Sequence, residues 1–245
     1  MPRPTILAFI LAPILASSPR AIAADDGTID ILAGEGQAVW RAVEPGWIRT
    51  DSVVVDPMKP NLLKATATPG GTIWVNGEKG RLRDLYTKQT FGDCTVHIEF
   101  LLAKRSNSGI KFHGVYEIQI HDSFGLTNVT GEHCGGIYPR SVQNPRYTHI
   151  DDGIAPRVNA CKAPGEWQTL DVRFRAPRFD PQGQKTANAM IAIATLNGQR
   201  IHENQEMKTP TGANWQRKET ATGPFMWQAD HGPIAVRKFT IRADK

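Results

Sequence analysis

Between Ser106 and Asp122 the chain alternates in a way that leaves little choice of local structure. Ile110 and Phe112 alternate with Lys111 and His113, a turn containing Gly114 follows, and Tyr116, Ile118 and Ile120 then alternate with Glu117, Gln119 and His121. A period of two sends successive side chains to opposite faces of a strand. The segment therefore predicts a β-hairpin with an apolar face and a second face bearing Lys111, His113, Glu117, Gln119 and His121. The plain alternative is a solvated outer face. Such faces are dominated by Lys, Glu and Thr, whereas this one brings an amide and two imidazoles together with opposite charges, so we take it as a candidate site.

Short runs of the same kind recur between turn signals, at 52–55, 61–66, 72–75, 85–87, 95–102, 110–113, 116–121, 167–174, 189–196, 199–203, 225–228 and 235–242. Helical periodicity is almost absent, and 22 glycines and 17 prolines punctuate the runs. This predicts an all-β chain, a sandwich or jelly roll folded as a single domain over 38–245 behind a loose lead-in at 24–37. Residues 131–165 carry no sustained period and read as a long excursion from the sandwich. Ordered loops of that length are often functional.

Residues 1–23 read as a secretory signal: Arg3, an apolar stretch from Thr5 to Ala16, and the small-x-small site Ala21-Ile22-Ala23. An apolar run of about a dozen residues is too short for a permanent membrane anchor. The sequence thus predicts an exported protein, periplasmic or secreted, with no membrane association once the signal is removed. Losing Arg3 and Arg20 lowers the formal net charge of +5 by two. The remaining basic excess is small and spread along the chain, which does not point to nucleic acid. In an oxidising compartment disulfides persist. Cys94 falls within a strand pattern and is expected as a buried free thiol. Cys134 and Cys161 lie in Gly/Pro-rich loop sequence and are expected to pair, closing a loop of about 27 residues worth roughly 3 kcal/mol.

Several short motifs occur in a fixed order. They are Asp84-Leu85-Tyr86-Thr87-Lys88 with Phe91-Gly92-Asp93; Ser106-Asn107-Ser108-Gly109-Ile110; Tyr116-Glu117-Ile118-Gln119-Ile120-His121-Asp122-Ser123; and Cys134-Gly135-Gly136-Ile137-Tyr138. Val158-Asn159-Ala160-Cys161-Lys162, Pro164-Gly165-Glu166-Trp167-Gln168, Ala176-Pro177-Arg178-Phe179-Asp180 and Gln228-Ala229-Asp230-His231-Gly232-Pro233 follow. With these motifs, over roughly residues 45 to 243, the chain resembles the DUF1080 or 3-keto-disaccharide hydrolase family.

The resemblance implies a concanavalin A-like (laminin G-like) jelly-roll β-sandwich and a carbohydrate substrate. In a 3-keto sugar the ketone acidifies the hydrogen on C2. A base that removes it generates an enolate, and the glycosidic oxygen on C1 then leaves. Such a site needs a poised base and acid, and a cation or strong donor for the enolate oxygen. Glu117 or His231 suits the base, Lys111 or a bound divalent metal ion the enolate, and Tyr138 or the remaining carboxylate the acid. Asn107 and Gln119 suit sugar hydroxyls, with His113, His121 and Asp230 beside them. Imidazole suits metal sites as well, which makes His113, His121 and His231 a candidate ligand set. The alternative function is a non-catalytic, lectin-like sugar-binding module.

Overall fold

A computed structural model describes residues 27–33 and 38–244; the expected signal segment lies outside the described residues. Two antiparallel sheets form the sandwich, with three two-stranded ribbons beside them among the described residues. The larger has eight strands, seven of them in the order Gln199–Met207, Ala189–Leu196, Trp167–Arg175, Cys94–Leu102, Ile234–Ala243, Ile73–Val75, Ile48–Thr50, while Thr28–Asp30 adds to Ile234–Ala243. The smaller has four, in the order Leu85–Phe91, Gly223–Gln228, Asn107–Phe112, Tyr116–His121. Among the described residues no helix is long and apolar enough to cross a membrane. The all-β jelly-roll sandwich expected from the spacing of the runs is the observed fold.

The hairpin alternation explains how the sheets meet. Ile110, Phe112, Tyr116, Ile118 and Ile120 are all fully buried, and the Phe112 ring stacks on Phe174 of the large sheet with centroids 4.5 Å apart. Phe225 meets Phe112 edge-on at 5.4 Å, and Trp227 packs against Phe239 at 5.9 Å. Each such side chain contributes about 1.5–3 kcal/mol by leaving water, so the register that buries this face is strongly preferred. A slip of one residue would place Lys111 and Glu117 in the core.

One expectation changes, at the N-terminus. Part of the expected lead-in belongs to the sandwich, because Thr28 to Asp30 pair with Arg242 to Thr240 and Ile31 and Leu32 are buried. The excursion is ordered and carries pairing of its own. Ser141–Val142 pairs with Thr148–His149, and Ile137 bridges both Ile118 and Ile154. Gly135 N donates to Gln119 O and Gln119 N to Gly136 O, each at 2.8 Å, and Tyr138 N donates to Glu117 O at 3.2 Å. The excursion thereby covers the open edge of Tyr116–His121, satisfying backbone groups an edge strand would leave exposed.

Candidate active site

On the outward face of the small sheet the register lines up a row of side chains. Tyr86 is opposite Met226, Met226 opposite Lys111, and Lys111 opposite Glu117. One step along, Gln228 is opposite Gly109 and Gly109 opposite Gln119. Over this face lies a cavity of 590 Å³ whose lining includes Asn107, Lys111, Glu117, Gln119, Tyr138 and His231. Loop residues Gln143, Tyr147 and Asn214 and the strand residue Gln228 also line it. The volume is within the usual range for small-molecule sites.

Glu117 is only 2% exposed, and its Oε2 lies 3.1 Å from Lys111 Nζ. The carboxylate rests over Gly109, where a Cβ would come within 2.5 Å of Oε1, so the small residue opposite Gln119 makes room for it. From the strand's open edge Thr211 Oγ1 accepts the Glu117 N–H at 3.0 Å. Burial pushes the Glu117 carboxyl above its usual range, and neighbouring Asp84 adds to this. Lys111 and His231 pull the other way but do not outweigh it. For Lys111, burial would lower the ammonium, but Glu117, Asp84 and Tyr86 together outweigh it and hold the group charged.

Gln119 donates from Nε2 to Asn107 Oδ1 at 3.1 Å, while its buried Oε1 has no partner among the described residues. An amide oxygen of this kind at a cavity wall suits a ligand hydroxyl. Tyr138, whose backbone lies alongside Glu117, also lines the cavity and is joined to a second layer of groups. Tyr147 Oη donates to Tyr138 Oη at 3.0 Å, His149 Nε2 lies 3.1 Å from the same oxygen, and His149 Nδ1 contacts Glu132 Oε1. A carboxylate at Nδ1 fixes the ring and leaves Nε2 facing the phenol. Burial, then the hydrogen bond with Tyr147, raises Tyr138 so that it remains a phenol at neutral pH.

His231 stands on a loop pinned from several sides. Asn76 Nδ2 donates to Ala229 O and to Gly232 O, both at 2.9 Å, and Ser106 Oγ donates to Pro233 O at 2.6 Å. Asp230 is off the cavity lining; its carboxylate holds His231 Nδ1. Asp230 thus orients a wall residue.

Two of the histidines expected in the site do not line the cavity. His113 has φ 54°, a left-handed conformation that ends the alternation and, with Gly114 also at positive φ, forms the type of turn that two-residue hairpins use. The ring is thrown to the core side, where it packs on Phe174 at 5.2 Å and Tyr116 at 5.9 Å. His121 is opposite Asn107 at the far end of the hairpin, with its ring against His133 at 5.9 Å and off the cavity. His113, His121 and His231 therefore do not assemble as metal ligands. Among the described residues no group of three or more His, Cys, Asp or Glu side chains is arranged to hold a metal.

Cys134 and Cys161 do lie together, as thiols sharing a hydrogen bond and not as a disulfide. Cys94 is the buried free thiol expected, with burial pushing it up to about 12.

Sequence reasoning did not single out Asp84, Glu132, Gln143, Tyr147, His149, Asn214 or Gln228. Asp84 directly precedes the strand Leu85–Phe91, and its Oδ1 accepts the Ala229 N–H at 3.0 Å. Burial raises its carboxyl, and Lys111 and His231 act on it in the opposite sense. Extending the alternation of Tyr86 back by two positions would have found it.

The protein is thus a jelly-roll sandwich whose outward sheet face carries a buried carboxylate–ammonium pair, amides and phenols around a cleft of 590 Å³. The family model for the 3-keto-alpha-glucoside-1,2-lyase-like domain matches residues 27–242, and the chain belongs to that family. Two solved structures from Parabacteroides distasonis ATCC 8503, each described as a "putative glycosyl hydrolase", share the fold. One is 23% identical, with 83% of this chain and 93% of its own covered and a TM-score of 0.56. The other is 16% identical, with 89% and 99% covered and a TM-score of 0.57. No curated protein matches the chain.

Proposed function

We propose that this protein cleaves 3-keto-glycosides by abstraction of the C2 proton, elimination and hydration. The observation that carries the reading is the buried Lys111–Glu117 pair in the lining of a cavity that Tyr138 also lines. A carboxyl raised by burial is a stronger base than one in water, and so is suited to taking a carbon-bound proton. Glu117 removes the C2 hydrogen, and negative charge moves from its carboxylate to the ketone oxygen. Lys111 is adjacent to both positions, so its fixed charge stabilises the enolate as it forms. The enolate electrons then form the C1–C2 double bond while the C1–oxygen bond breaks, and Tyr138 gives its proton to the departing oxygen. Water adds to C1 of the enone, losing a proton to Tyr138, and C2 regains one from Glu117. The net change is hydrolysis.

Gln119 Oε1, Asn107 and Gln228 suit the sugar hydroxyls, with His231 at the wall. Glu132 and His149 orient the Tyr138 phenol. Export, read from residues 1–23, would bring the site to glycans outside the cytoplasm. The test is incubation with a 3-keto aryl glucoside and with 3-ketotrehalose, where release of aglycone or sugar is expected. Saturable binding of glycans without turnover of either substrate would replace the enzyme by a sugar-binding module.

A further inference from the structure

Beside the Glu117 cavity lies a second and larger one, of 760 Å³, that the proposed chemistry does not use. Its lining includes Lys79, Arg81, Lys104 and Arg105, and His231 lines both cavities. No acidic residue lines it, and among the described residues none of the four cations is in an ion pair. Two acids close by are engaged: Asp230 with His231, and Asp122 with the backbone N–H of Arg105 at 2.8 Å. Four uncompensated cations around one concavity repel each other and focus a positive potential into it. An anion placed there relieves that repulsion and accepts charge-assisted hydrogen bonds.

The loop bearing His231, which lines both cavities, packs closely against the segment at Gly80. Gly232 N donates to Gly80 O at 3.0 Å, and a Cβ on Gly80 would come within 1.9 Å of the Gly232 carbonyl carbon. Arg81 Nη1 donates to Asp230 O at 2.8 Å. The segment bearing Lys79 and Arg81 is thus fastened to the loop bearing His231. A flat basic stripe interleaved with aromatics would suit nucleic acid, but this is a concave cleft without Phe, Tyr or Trp in its lining, and it shares His231 with the cavity over Glu117.

We propose that this basic cleft is a subsite for an anionic sugar residue, carboxylated or sulfated, of a glycan whose neighbouring residue occupies the cavity over Glu117. The inference rests on reading that cavity as the saccharide site, but it concerns binding and not turnover. The test is isothermal titration of the full protein and of a Lys79→Ala/Lys104→Ala variant with three unoxidised tetrasaccharides: neutral, uronate and sulfated. The intact protein should bind one of the anionic ligands about tenfold or more tighter than the neutral one at low salt. The preference should shrink in about 1 M salt, where the Debye length is about 3 Å. In the double variant affinity for the neutral ligand should persist while the preference disappears, and the tighter anionic arm identifies carboxylate or sulfate. Equal affinity for neutral and anionic ligands, no binding of either anionic ligand, or a preference unchanged in the variant would overturn the proposal. Failure to cleave 3-keto substrates would count against the proposed chemistry alone, because this readout requires no reaction.

Discussion

Lys111 and Glu117 are register partners across one hairpin, and their charged atoms meet 3.1 Å apart on a face otherwise turned away from the core. The pair is both a structural contact and the centre of the proposed chemistry, so changes to either residue separate the two roles.

Removing the cation should change how activity depends on pH. Glu117 must be ionised to act as a base, so kcat/KM rises with pH through its raised pKa. Lys111 is the main influence holding that value down against burial. Lys111→Met leaves burial and Asp84 to push it higher, and the acid limb of the kcat/KM profile should move to higher pH. Stability should respond with the same sign. A carboxyl raised in the folded state disfavours folding as pH climbs from its unfolded value, about 4.3, to its folded one, and the variant widens that window. Urea melts at acidic and neutral pH should show the variant losing more stability at neutral pH than at acidic pH. An unmoved acid limb would remove Lys111 as the group that sets the base.

Gly109→Ala tests the placement of the carboxylate without touching its chemistry. The added methyl meets Glu117 Oε1 at 2.5 Å, while Cγ and Cδ lie at 3.3 Å. The flexible end of Glu117 can yield, so stability should fall by only about 1 kcal/mol, typical of a mild steric change. Displacement of a base by about 1 Å is expected to cost about a hundredfold in rate. A folded Gly109→Ala protein with full activity would show that the observed carboxylate position is not the one used.

Tyr138→Phe separates leaving-group protonation from proton abstraction. Loss of a general acid typically costs about 10²–10⁴-fold, and the cost should appear with 3-ketotrehalose, whose departing oxygen is strongly basic. A 3-keto nitrophenyl glucoside, whose aglycone leaves without help, should react at close to the normal rate. His149→Ala should reproduce the same pattern more weakly, since His149 acts through the Tyr138 hydroxyl. Equal losses with both leaving groups would place Tyr138 in binding or packing.

The thiols Cys134 and Cys161, already sharing a hydrogen bond, are expected to join on exposure to glutathione disulfide. Cys161 forms a mixed disulfide that Cys134 resolves, both protein thiols being oxidised as glutathione is reduced. Closing this loop should stabilise the protein by roughly 3 kcal/mol. Mass spectrometry should find the pair short of two hydrogens, while two thiols that still react with a thiol reagent after oxidation would show that it stays open.

Much of the fold and part of the site could be read from local pattern. The β runs correspond to the principal strands because period-two alternation and turn residues are local signals, and a buried face locks the register. The same alternation placed Lys111, Glu117 and Gln119 together. It misplaced His113 because a positive φ breaks the alternation at that position. Asp84 escaped notice by lying just before its strand. Tyr147, His149 and Glu132 reach Tyr138 only through the folding of the excursion, where no period connects residues that meet in space. The strand Thr28–Asp30 was missed because three residues carry too little pattern to distinguish a strand from a lead-in.

The account turns on Glu117 as the base, and the most direct test is the initial rate of aglycone release from a 3-keto aryl glucoside by the intact protein and by Glu117→Gln. Glutamine preserves the shape and an oxygen that can accept from Lys111 but cannot take the C2 proton. Circular dichroism should show the variant folded at the assay temperature. The expected result is ready release by the intact protein and a rate lower by about a hundredfold or more in the variant, the scale of lost general-base catalysis. A folded Glu117→Gln protein that releases aglycone at the unmodified rate would contradict the account and move the base to His231.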